Sequence, residues 1–245
     1  MAVKAMILAA GFGTRLRPLT DTLPKPILPI GGRPIVEYTL SLLKRHGITD
    51  VVINLHHLGG KIKEALGDGS RYGMSMTYAD EPEILGTGGA LRAAAAHFGV
   101  EGLLVINGDI VVEVDLDAVA DFHRRKGGLA TLVLREAPDA ARYGVVEIDD
   151  EDRICNLRGR IEVAADLPRR PRMFTGIHLL APAILSAIPA GGYCDIADVY
   201  IDLIRRGLPL FGQTMTGYWN DIGTPDRYQQ AERDLREGRF SPAVL

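Results

Sequence analysis

The residues best suited to chemistry lie in a loop near the amino terminus, where Gly11-Phe-Gly13 precedes two cations, Arg15 and Lys25. Glycine lets backbone N–H groups approach an anion closely, and successive amides in a turn form an anion-binding concavity. Four prolines in residues 18–29 restrict the backbone and disfavour helix. The pattern therefore predicts a stiff polyphosphate-binding loop. An ordinary tight turn after a strand is the alternative explanation for the two glycines.

Two better-known phosphate motifs do not fit this loop. A P-loop needs four residues between its glycines and a Gly-Lys-Ser/Thr ending, which the chain lacks here. The dinucleotide fingerprint needs a third glycine or alanine where this chain has Leu16. The loop therefore belongs to a different class of phosphate site.

The elements that must position this loop alternate between strand and helix in the first half of the chain. Apolar runs predict strands at 5–10, 50–55, 74–78 and 102–107, and amphipathic or alanine-rich stretches predict helices at 34–46, 58–66 and 88–98. This alternation is typical of βαβ units and a mostly parallel sheet with helices on both faces. Such sheets bind ligands at the carboxyl ends of their strands, so the glycine loop, residues 81–89 and residues 107–109 should converge there.

The pattern changes after Asp109. A predicted helix at 117–125 precedes strand-like segments at 130–135, 144–149, 154–157 and 173–180, which we expect to form a small antiparallel region over the active site. Helices are predicted at 195–206 and 225–237, with a short strand pair between them. We therefore predict an α/β fold with a single Rossmann-like domain spanning 1–245. Its nucleotide-binding part should cover about 1–110 and its sugar-binding part about 111–230.

Bulk properties exclude several classes of protein. The chain has 245 residues, enough for one α/β domain, and its net charge of −3 gives no basic field for nucleic acid. The two cysteines, Cys155 and Cys194, have no metal or redox spacing and suggest a reducing compartment. No apolar run approaches the length of a membrane span. We expect a cytoplasmic protein that binds neither membrane nor nucleic acid, and the sequence leaves a homo-oligomer open.

The loop motif resembles a known family. The runs Leu8-Ala-Ala-Gly-Phe-Gly-Thr-Arg-Leu16 and Pro24-Lys-Pro-Ile-Leu-Pro-Ile30 are similar to the signature of the sugar-1-phosphate nucleotidylyltransferases. Further matching segments continue to about residue 228. The resemblance implies a Rossmann-like nucleotidyltransferase fold and transfer of a nucleotidyl group from an NTP to a sugar 1-phosphate, with release of pyrophosphate.

The resemblance also implies a metal site. Asp109 in Asn107-Gly-Asp and Asp221 in Trp219-Asn-Asp-Ile-Gly-Thr match family positions that bind Mg²⁺. Magnesium prefers one or two carboxylates together with phosphate oxygens and water. Taken singly, each aspartate is equally explained as a cap of the following helix. We predict Asp109 and Asp221 as metal ligands, and Arg15, Lys25 and Asp109 as catalytic residues.

The nucleotide and sugar sites are predicted from the same match. The nucleotide should contact residues of the glycine loop, of residues 81–89 and of the end of the fourth predicted strand. These are Leu8, Ala10, Gly11, Gly13, Thr14, Arg15, Glu81, Gly86, Thr87, Gly88 and Asn107. The sugar phosphate should contact Gly144, Arg158, Thr175 and Asp221. Many relatives have Glu-Lys-Pro where this chain has Leu157-Arg158-Gly159, so Arg158 would replace the lysine, and no carboxylate replaces the glutamate.

The identity of the base and of the sugar depends on fewer residues. The carboxylate of Glu81 accepts hydrogen bonds, and guanine offers two adjacent donors, which favours GTP. The resembling enzymes that use GTP are mannose-1-phosphate guanylyltransferases, so the resemblance then implies a mannose-type sugar. The chain length and the run Asn54-Leu-His-His-Leu58 instead resemble the muramate uridylyltransferases, which use UTP. A third alternative is a catalytically silent homologue that senses nucleotides. Silent relatives would be expected to lose Lys25, Asp109 or Asp221, and this chain keeps all three.

Overall fold

A computed structural model describes residues 3–99, 102–136, 144–162 and 168–240. The strands are β1 (Lys4–Leu8), β2 (Pro29–Ile30), β3 (Arg33–Pro34), β4 (Asp50–Leu55), β5 (Ser75–Asp80), β6 (Leu103–Asn107), β7 (Ile110–Val112), β8 (Ala130–Arg135), β9 (Val145–Ile148), β10 (Ile154–Leu157), β11 (Arg170–Leu180), β12 (Leu210–Met215) and β13 (Trp219–Asp221). The α-helices are α1 (Leu19–Thr22), α2 (Ile35–Arg45), α3 (Gly59–Leu66), α4 (Gly86–Ala93), α5 (Leu116–Lys126), α6 (Ile196–Arg205) and α7 (Pro225–Arg236). None of the helices within these ranges is long and apolar enough to span a membrane.

The chain divides into two compact units. The first contains the described residues of Met1–Ile84, Ile106–Val114 and Gly217–Leu245, and the second those of Leu85–Val105 and Asp115–Thr216. The chain therefore leaves the first unit and returns to it twice, and β6 contributes residues to both.

The first unit contains a parallel sheet. Strand β4 pairs in parallel with β1 on one side and with β5 on the other. The central residues of β1 and nearly all of β4 are buried, as expected of parallel strands covered on both faces. Because the three strands run in the same direction, their carboxyl ends lie along one edge of the sheet. The glycine loop follows β1 at this edge, and Glu81 follows β5.

The remaining elements of the first unit pack together through a hydrophobic cluster that includes Leu16 of the glycine loop. It joins the loop to α2, β7, the residue after β13, and α7 through Leu16, Leu28, Ile30, Ile35, Tyr38, Val111, Ile222, Ala231 and Phe240. Val111 and Ile222 are near neighbours in sequence of Asp109 and Asp221. Packing of this cluster thus sets the positions of both carboxylates.

The second unit is a mixed sheet in the order β10-β9-β11-β8-β12. The first three pairings are antiparallel, and β12 pairs with β8 in parallel. Helices α5 and α6 are each preceded by a capping aspartate whose side chain accepts a hydrogen bond from the first turn, Asp115 and Asp195 respectively.

The predicted α/β fold is confirmed, and β4, β8 and β10 have the predicted bounds. Three details of the prediction were wrong. The proline-rich loop was expected to avoid helix, yet it contains α1 and a 3-10 turn at Lys25–Ile27, because prolines occupy first-turn positions where a missing N–H costs little. The strands between α6 and α7 do not pair with each other: β12 pairs with β8, and β13 pairs with β7. Strand β7 itself was not predicted.

Candidate active site

The glycine loop leaves β1 through a turn at Gly13. Gly13 has a φ of +64°, and a Cβ there would lie 2.9 Å from the Thr20 side chain, so the turn itself requires glycine. The Thr20 hydroxyl donates to the Gly13 carbonyl at 2.8 Å and closes the loop. A Cβ at Gly11 would meet no atom within 4 Å, so packing does not explain that glycine. Thr14 and Arg15 follow on the exposed 3-10 turn.

Lys25 and Asp109 form the closest ion pair of this site. The Lys25 ammonium lies 2.7 Å from Asp109 Oδ2, with the side chains 13% and 30% exposed. Lys25 is presented by the 3-10 turn, and Asp109 by the turn between β6 and β7. The structure thus brings together two residues that are 84 positions apart. The sequence predicted both as catalytic residues but did not predict that they form an ion pair.

Asp221 joins this pair through the small sheet of β7 and β13. Asp221 is opposite Ile110 in the antiparallel register, and the Ile222 N–H donates to the Asp109 carbonyl at 2.9 Å. Neither aspartate caps a helix, because the cap of α5 is Asp115 and the cap of α7 is Thr224, whose hydroxyl accepts from the Arg227 N–H. The capping explanation is therefore excluded for both.

The electrostatics of Asp221 reflect its crowded surroundings. Burial raises the pKa of Asp221, and the nearby Asp109 raises it further, while Lys25, Arg15 and Arg227 act in the opposite direction. The net pKa lies above its ordinary value. Two carboxylates and three cations therefore interact in one cluster within the first unit.

Gly223 is a residue of this cluster whose role the sequence did not reveal. A Cβ at Gly223 would lie 2.6 Å from Asp221 Oδ1 and 3.0 Å from Arg15 Nη2. Glycine here leaves room for the Asp221 carboxylate and the Arg15 guanidinium side by side. The signal was present in the Asp-Ile-Gly-Thr motif, but the reason for glycine depends on a contact with the distant Arg15.

Glu81 lies just after β5 and is only 6% exposed. Its Oε1 accepts from Asn54 Nδ2 at 2.7 Å, and Asn54 Oδ1 accepts from the Ala9 N–H at 2.8 Å. The ring of His56 bonds to the Glu81 carbonyl at 2.8 Å. Asn54 thus ties the exit of β1, between Leu8 and Ala10, to the predicted base-reading carboxylate. Asn54 belongs to the run at 54–58 that resembles one group of relatives, but the sequence did not indicate this role for it.

The end of β6 also contacts the exit of β1. The Gly108 N–H donates to the Leu8 carbonyl at 2.9 Å, and a Cβ at Gly108 would lie 2.8 Å from that oxygen. Asn107, at the end of the strand, is half-buried. This contact aligns the Asn107-Gly-Asp109 turn with the glycine loop.

The remaining predicted residues lie in the second unit. The N–H groups of Gly88 and Gly89 donate to the Cys194 carbonyl, at 2.8 and 3.2 Å. A Cβ at Gly86 would lie 2.6 Å from the same oxygen, so contact with Cys194 explains that glycine. Thr87 donates its hydroxyl to Asp195 at 3.3 Å.

The predicted sugar-phosphate residues of the second unit differ in exposure. Arg158 pairs with Asp195 at 2.8 Å on the surface, beside Gly144. Thr175 is buried in β11 and donates its hydroxyl to the Val133 carbonyl at 2.7 Å. Tyr143, which precedes the predicted sugar-phosphate contact Gly144, lies outside the described residues.

Comparison with known proteins gives consistent matches along the chain. A family model described as nucleotidyl transferase matches residues 4–238. A UTP–glucose-1-phosphate uridylyltransferase from Synechocystis is 35% identical over 95% of this chain, and the match spans 63% of that relative's length. An N-acetylmuramate alpha-1-phosphate uridylyltransferase from Neisseria meningitidis is 35% identical, with 94% of this chain and 97% of the relative covered.

Two further matches differ in the named substrate. A mannose-1-phosphate guanylyltransferase from Mycobacterium tuberculosis is 33% identical, with 99% of this chain and 67% of the relative covered. A crystal structure from Bacillus anthracis, described as a glucose-1-phosphate thymidylyltransferase with bound sucrose, superposes with a TM-score of 0.82 at 28% identity and 98% coverage of both chains. The relatives thus agree on the reaction in their names and differ in nucleotide and sugar.

Proposed function

The chain belongs to the nucleotidyl transferase family, and on that premise we propose that it transfers a nucleotidyl group from an NTP to a sugar 1-phosphate. The observation that carries the proposal is the cluster of Arg15, Lys25, Asp109 and Asp221 beside a glycine loop. A silent nucleotide sensor would not need two carboxylates held against two cations in this way.

The reaction requires neutralisation of charge more than proton transfer. A sugar 1-phosphate is already an anion at neutral pH, so its phosphate oxygen can attack the α-phosphorus without a general base. The bond from that phosphorus to the bridging oxygen breaks, and the electron pair leaves with pyrophosphate. Positioning and electrostatic stabilisation supply most of the catalysis in such transfers. Lys25 would neutralise the α-phosphate, and Arg15 with the loop amides would hold the departing phosphates.

The carboxylates fit a divalent metal, which this family generally requires. Asp109 and Asp221 are two oxygen ligands in one cluster, the donor set that Mg²⁺ prefers alongside phosphate oxygens and water. The raised pKa of Asp221, due to burial and to Asp109, indicates repulsion that a bound cation would relieve. Mg²⁺, when bound, would supply positive charge to the phosphates. The ion pair with Lys25 holds the Asp109 carboxylate in place.

Two observations favour UTP as the nucleotide. The argument for guanine depends on two acceptor oxygens of Glu81, and one of them already accepts from Asn54. The Neisseria relative that matches along 97% of its length is a uridylyltransferase by name. Uracil offers the single donor N3–H, so fewer acceptors are required. GTP with a mannose-type sugar is the alternative that the sequence favoured.

A pyrophosphate-release assay tests the proposal. It crosses ATP, GTP, UTP, CTP and dTTP with glucose 1-phosphate, mannose 1-phosphate and N-acetylmuramate 1-phosphate in the presence of Mg²⁺. We expect release only when both substrates are present, with UTP the best donor. Release with no pair would overturn the proposed activity. A preference for GTP would retain the activity and overturn the choice of base.

Glu81→Gln tests the base contact. If the Glu81 carboxylate accepts a hydrogen bond from the base, the glutamine amide can instead place its N–H₂ donor against the donor of the base. This mismatch costs about 1–3 kcal/mol, or roughly 5- to 150-fold in kcat/KM for the preferred nucleotide. A nucleotide that is not read by Glu81 should lose less. Equal losses for UTP and GTP would assign the reading of the base to other groups.

A further inference from the structure

Arg158 is held in an unusual backbone conformation. Its φ is +57°, in the left-handed region that non-glycine residues seldom adopt. Its N–H donates to the Val145 carbonyl at 2.8 Å, and its stem passes Gly144, where a Cβ would lie 3.0 Å from Arg158 Cγ. The turn therefore fixes where the side chain leaves the backbone. The side chain is 46% exposed and remains accessible to a ligand.

Asp195 fixes the other end of that side chain. Its Oδ2 accepts from Arg158 Nη1 at 2.8 Å, while Oδ1 accepts from the Ala197 N–H at 3.0 Å and from the Thr87 hydroxyl at 3.3 Å. Thr87 in turn accepts from the Ile196 N–H at 3.0 Å. Burial would raise the pKa of Asp195, but the bonds from Ala197 and Arg158 outweigh it and hold the pKa below its ordinary value. The carboxylate is thus a charged and immobile partner.

We propose that Asp195 is a positioning residue for the reaction, which fixes the Arg158 guanidinium so that it can bind the phosphate of the sugar 1-phosphate. The proposal rests on the proposed function. A guanidinium has five N–H donors, so the bond through Nη1 leaves donors for a phosphate. Holding the side chain before the substrate arrives reduces the conformational entropy lost on binding.

The chain contains a matched pair that separates this role from a general charge effect. Arg160 pairs with Asp198, one turn further along α6, so the chemistry and the supporting helix are the same. The Asp198 side chain is 55% exposed, against 28% for Asp195. Asp198 lies within the first turn of α6, whereas Asp195 is the residue that caps the helix. Exposed pairs of this kind contribute little.

Steady-state kinetics of Asp195→Asn and Asp198→Asn form the main test. Asparagine keeps the helix-capping oxygen, so the fold should persist. Losing the charged partner should raise the KM for the sugar 1-phosphate about tenfold or more, with kcat within about threefold of wild type. Asp198→Asn should change either value by less than about twofold. Equal effects of the two substitutions would overturn the proposal.

A double-mutant cycle with Arg158→Met distinguishes positioning from a structural role. If Asp195 acts through Arg158, Asp195→Asn should add less than about twofold to the KM once Arg158 is Met. A purely structural role would give additive effects and would lower the melting temperature to the same extent with or without Arg158. Additivity therefore overturns the inference. Asp195→Glu, which keeps the charge, should recover part of the loss.

Binding measurements separate this inference from the proposed activity. Glucose 1-phosphate is titrated by calorimetry into wild type, Asp195→Asn and Asp198→Asn. Weaker binding by Asp195→Asn alone supports the positioning role even if no substrate pair releases pyrophosphate. Equal binding by the three proteins, or no binding by wild type, overturns it. Activity in the wild type with unaltered kinetics for Asp195→Asn would leave the proposed function standing and remove the inference.

Discussion

The two units hold their charged residues by different means. In the first, the Lys25–Asp109 pair is largely buried, and its carboxylate lies in a turn fixed by the β7–β13 pairing and the cluster below it. In the second, the Arg158–Asp195 pair is more exposed and lies between a strained turn and the residue that caps α6. Regular hydrogen bonding fixes the first pair, and a helix cap fixes the second.

This difference matches the demands on the two groups of residues. The phosphates of any NTP carry the same charges, so residues that neutralise them benefit from a rigid, partly buried setting where charges interact strongly. Recognition of a particular sugar varies among relatives with different named substrates. A turn and a helix terminus can change sequence at little cost to the sheet. We therefore expect changes in the first cluster to abolish turnover and changes in the second to alter affinity.

The largest effect is expected from the carboxylates of the first cluster. Asp109→Asn or Asp221→Asn should lower kcat by about 10²–10³ or more, because each removes a ligand and a charge from the predicted metal site. EDTA should abolish wild-type turnover, and excess Mg²⁺ should restore it. Circular dichroism would show that the fold is retained. Variants that both stay within a few-fold of wild type would remove the metal assignment and the contrast with Asp195.

Lys25→Met tests whether the cation acts on the transition state. An interaction that strengthens as pyrophosphate departs lowers the barrier, whereas uniform binding alters apparent affinity only. We expect kcat to fall by about 10²–10³ and the KM for NTP to rise far less. Lys61→Met is the control, because Lys61 contacts the same loop through the Thr22 carbonyl but is exposed. A normal kcat with weak NTP binding would make Lys25 a docking residue and move the catalytic role to Arg15.

Gly223→Ala perturbs the same cluster without removing any charge. The added Cβ would lie 2.6 Å from Asp221 Oδ1, so the carboxylate must shift. Displacements of this size cost up to about 10²-fold in rate, and we expect a loss of about 10- to 100-fold in kcat. Gly60→Ala on α3 serves as the control, since a Cβ there meets no atom within 4 Å. Equal activities of the two variants would show that the cluster tolerates movement.

The same contrast explains what could be predicted from sequence. The parallel strands of the first unit followed from apolar runs, and the glycine loop and residues 107–109 were expected near each other because strand ends in a parallel sheet share one edge. The ion pair between Lys25 and Asp109 was not predicted. The β7–β13 sheet was missed since each strand has only three residues and pairs across more than a hundred positions. Periodicity cannot signal so short a segment.

The second unit was harder to predict at the level of the site. Its strands were predicted, but the partner of Arg158 was not. Asp195 lies 37 residues further along the chain, and its local sequence indicates only the cap of a helix. Gly86 and Gly88 stay predicted nucleotide contacts, and both also approach Cys194 closely, a contact that the sequence did not indicate. Contacts between segments far apart in sequence determine these roles, and a single sequence does not contain them.

The smallest expected effect concerns the stability of the first cluster. Burial and Asp109 raise the pKa of Asp221, so its ionised form costs folding free energy. Below about pH 4 the group is protonated in both folded and unfolded chains, and the cost is absent. As pH rises, the unfolded chain releases its proton first, and stability falls until pH passes the raised pKa of the folded protein.

Asp221→Asn lacks this cost and should therefore be more stable than wild type at pH 7 when no metal is present. A gain of 1 kcal/mol corresponds to about 2–4 °C in melting temperature at this chain length, so we expect a shift of a few degrees at most. The shift should vanish below pH 4, and Mg²⁺ should reverse it by stabilising only the wild type. Differential scanning calorimetry at pH 3.5 and 7.5, with EDTA or Mg²⁺, measures all four cases. A variant that is less stable than wild type at pH 7.5 in EDTA would mean that Arg15 and Lys25 outweigh burial, and that the first cluster is held together by its charges as firmly as Arg158 is by Asp195.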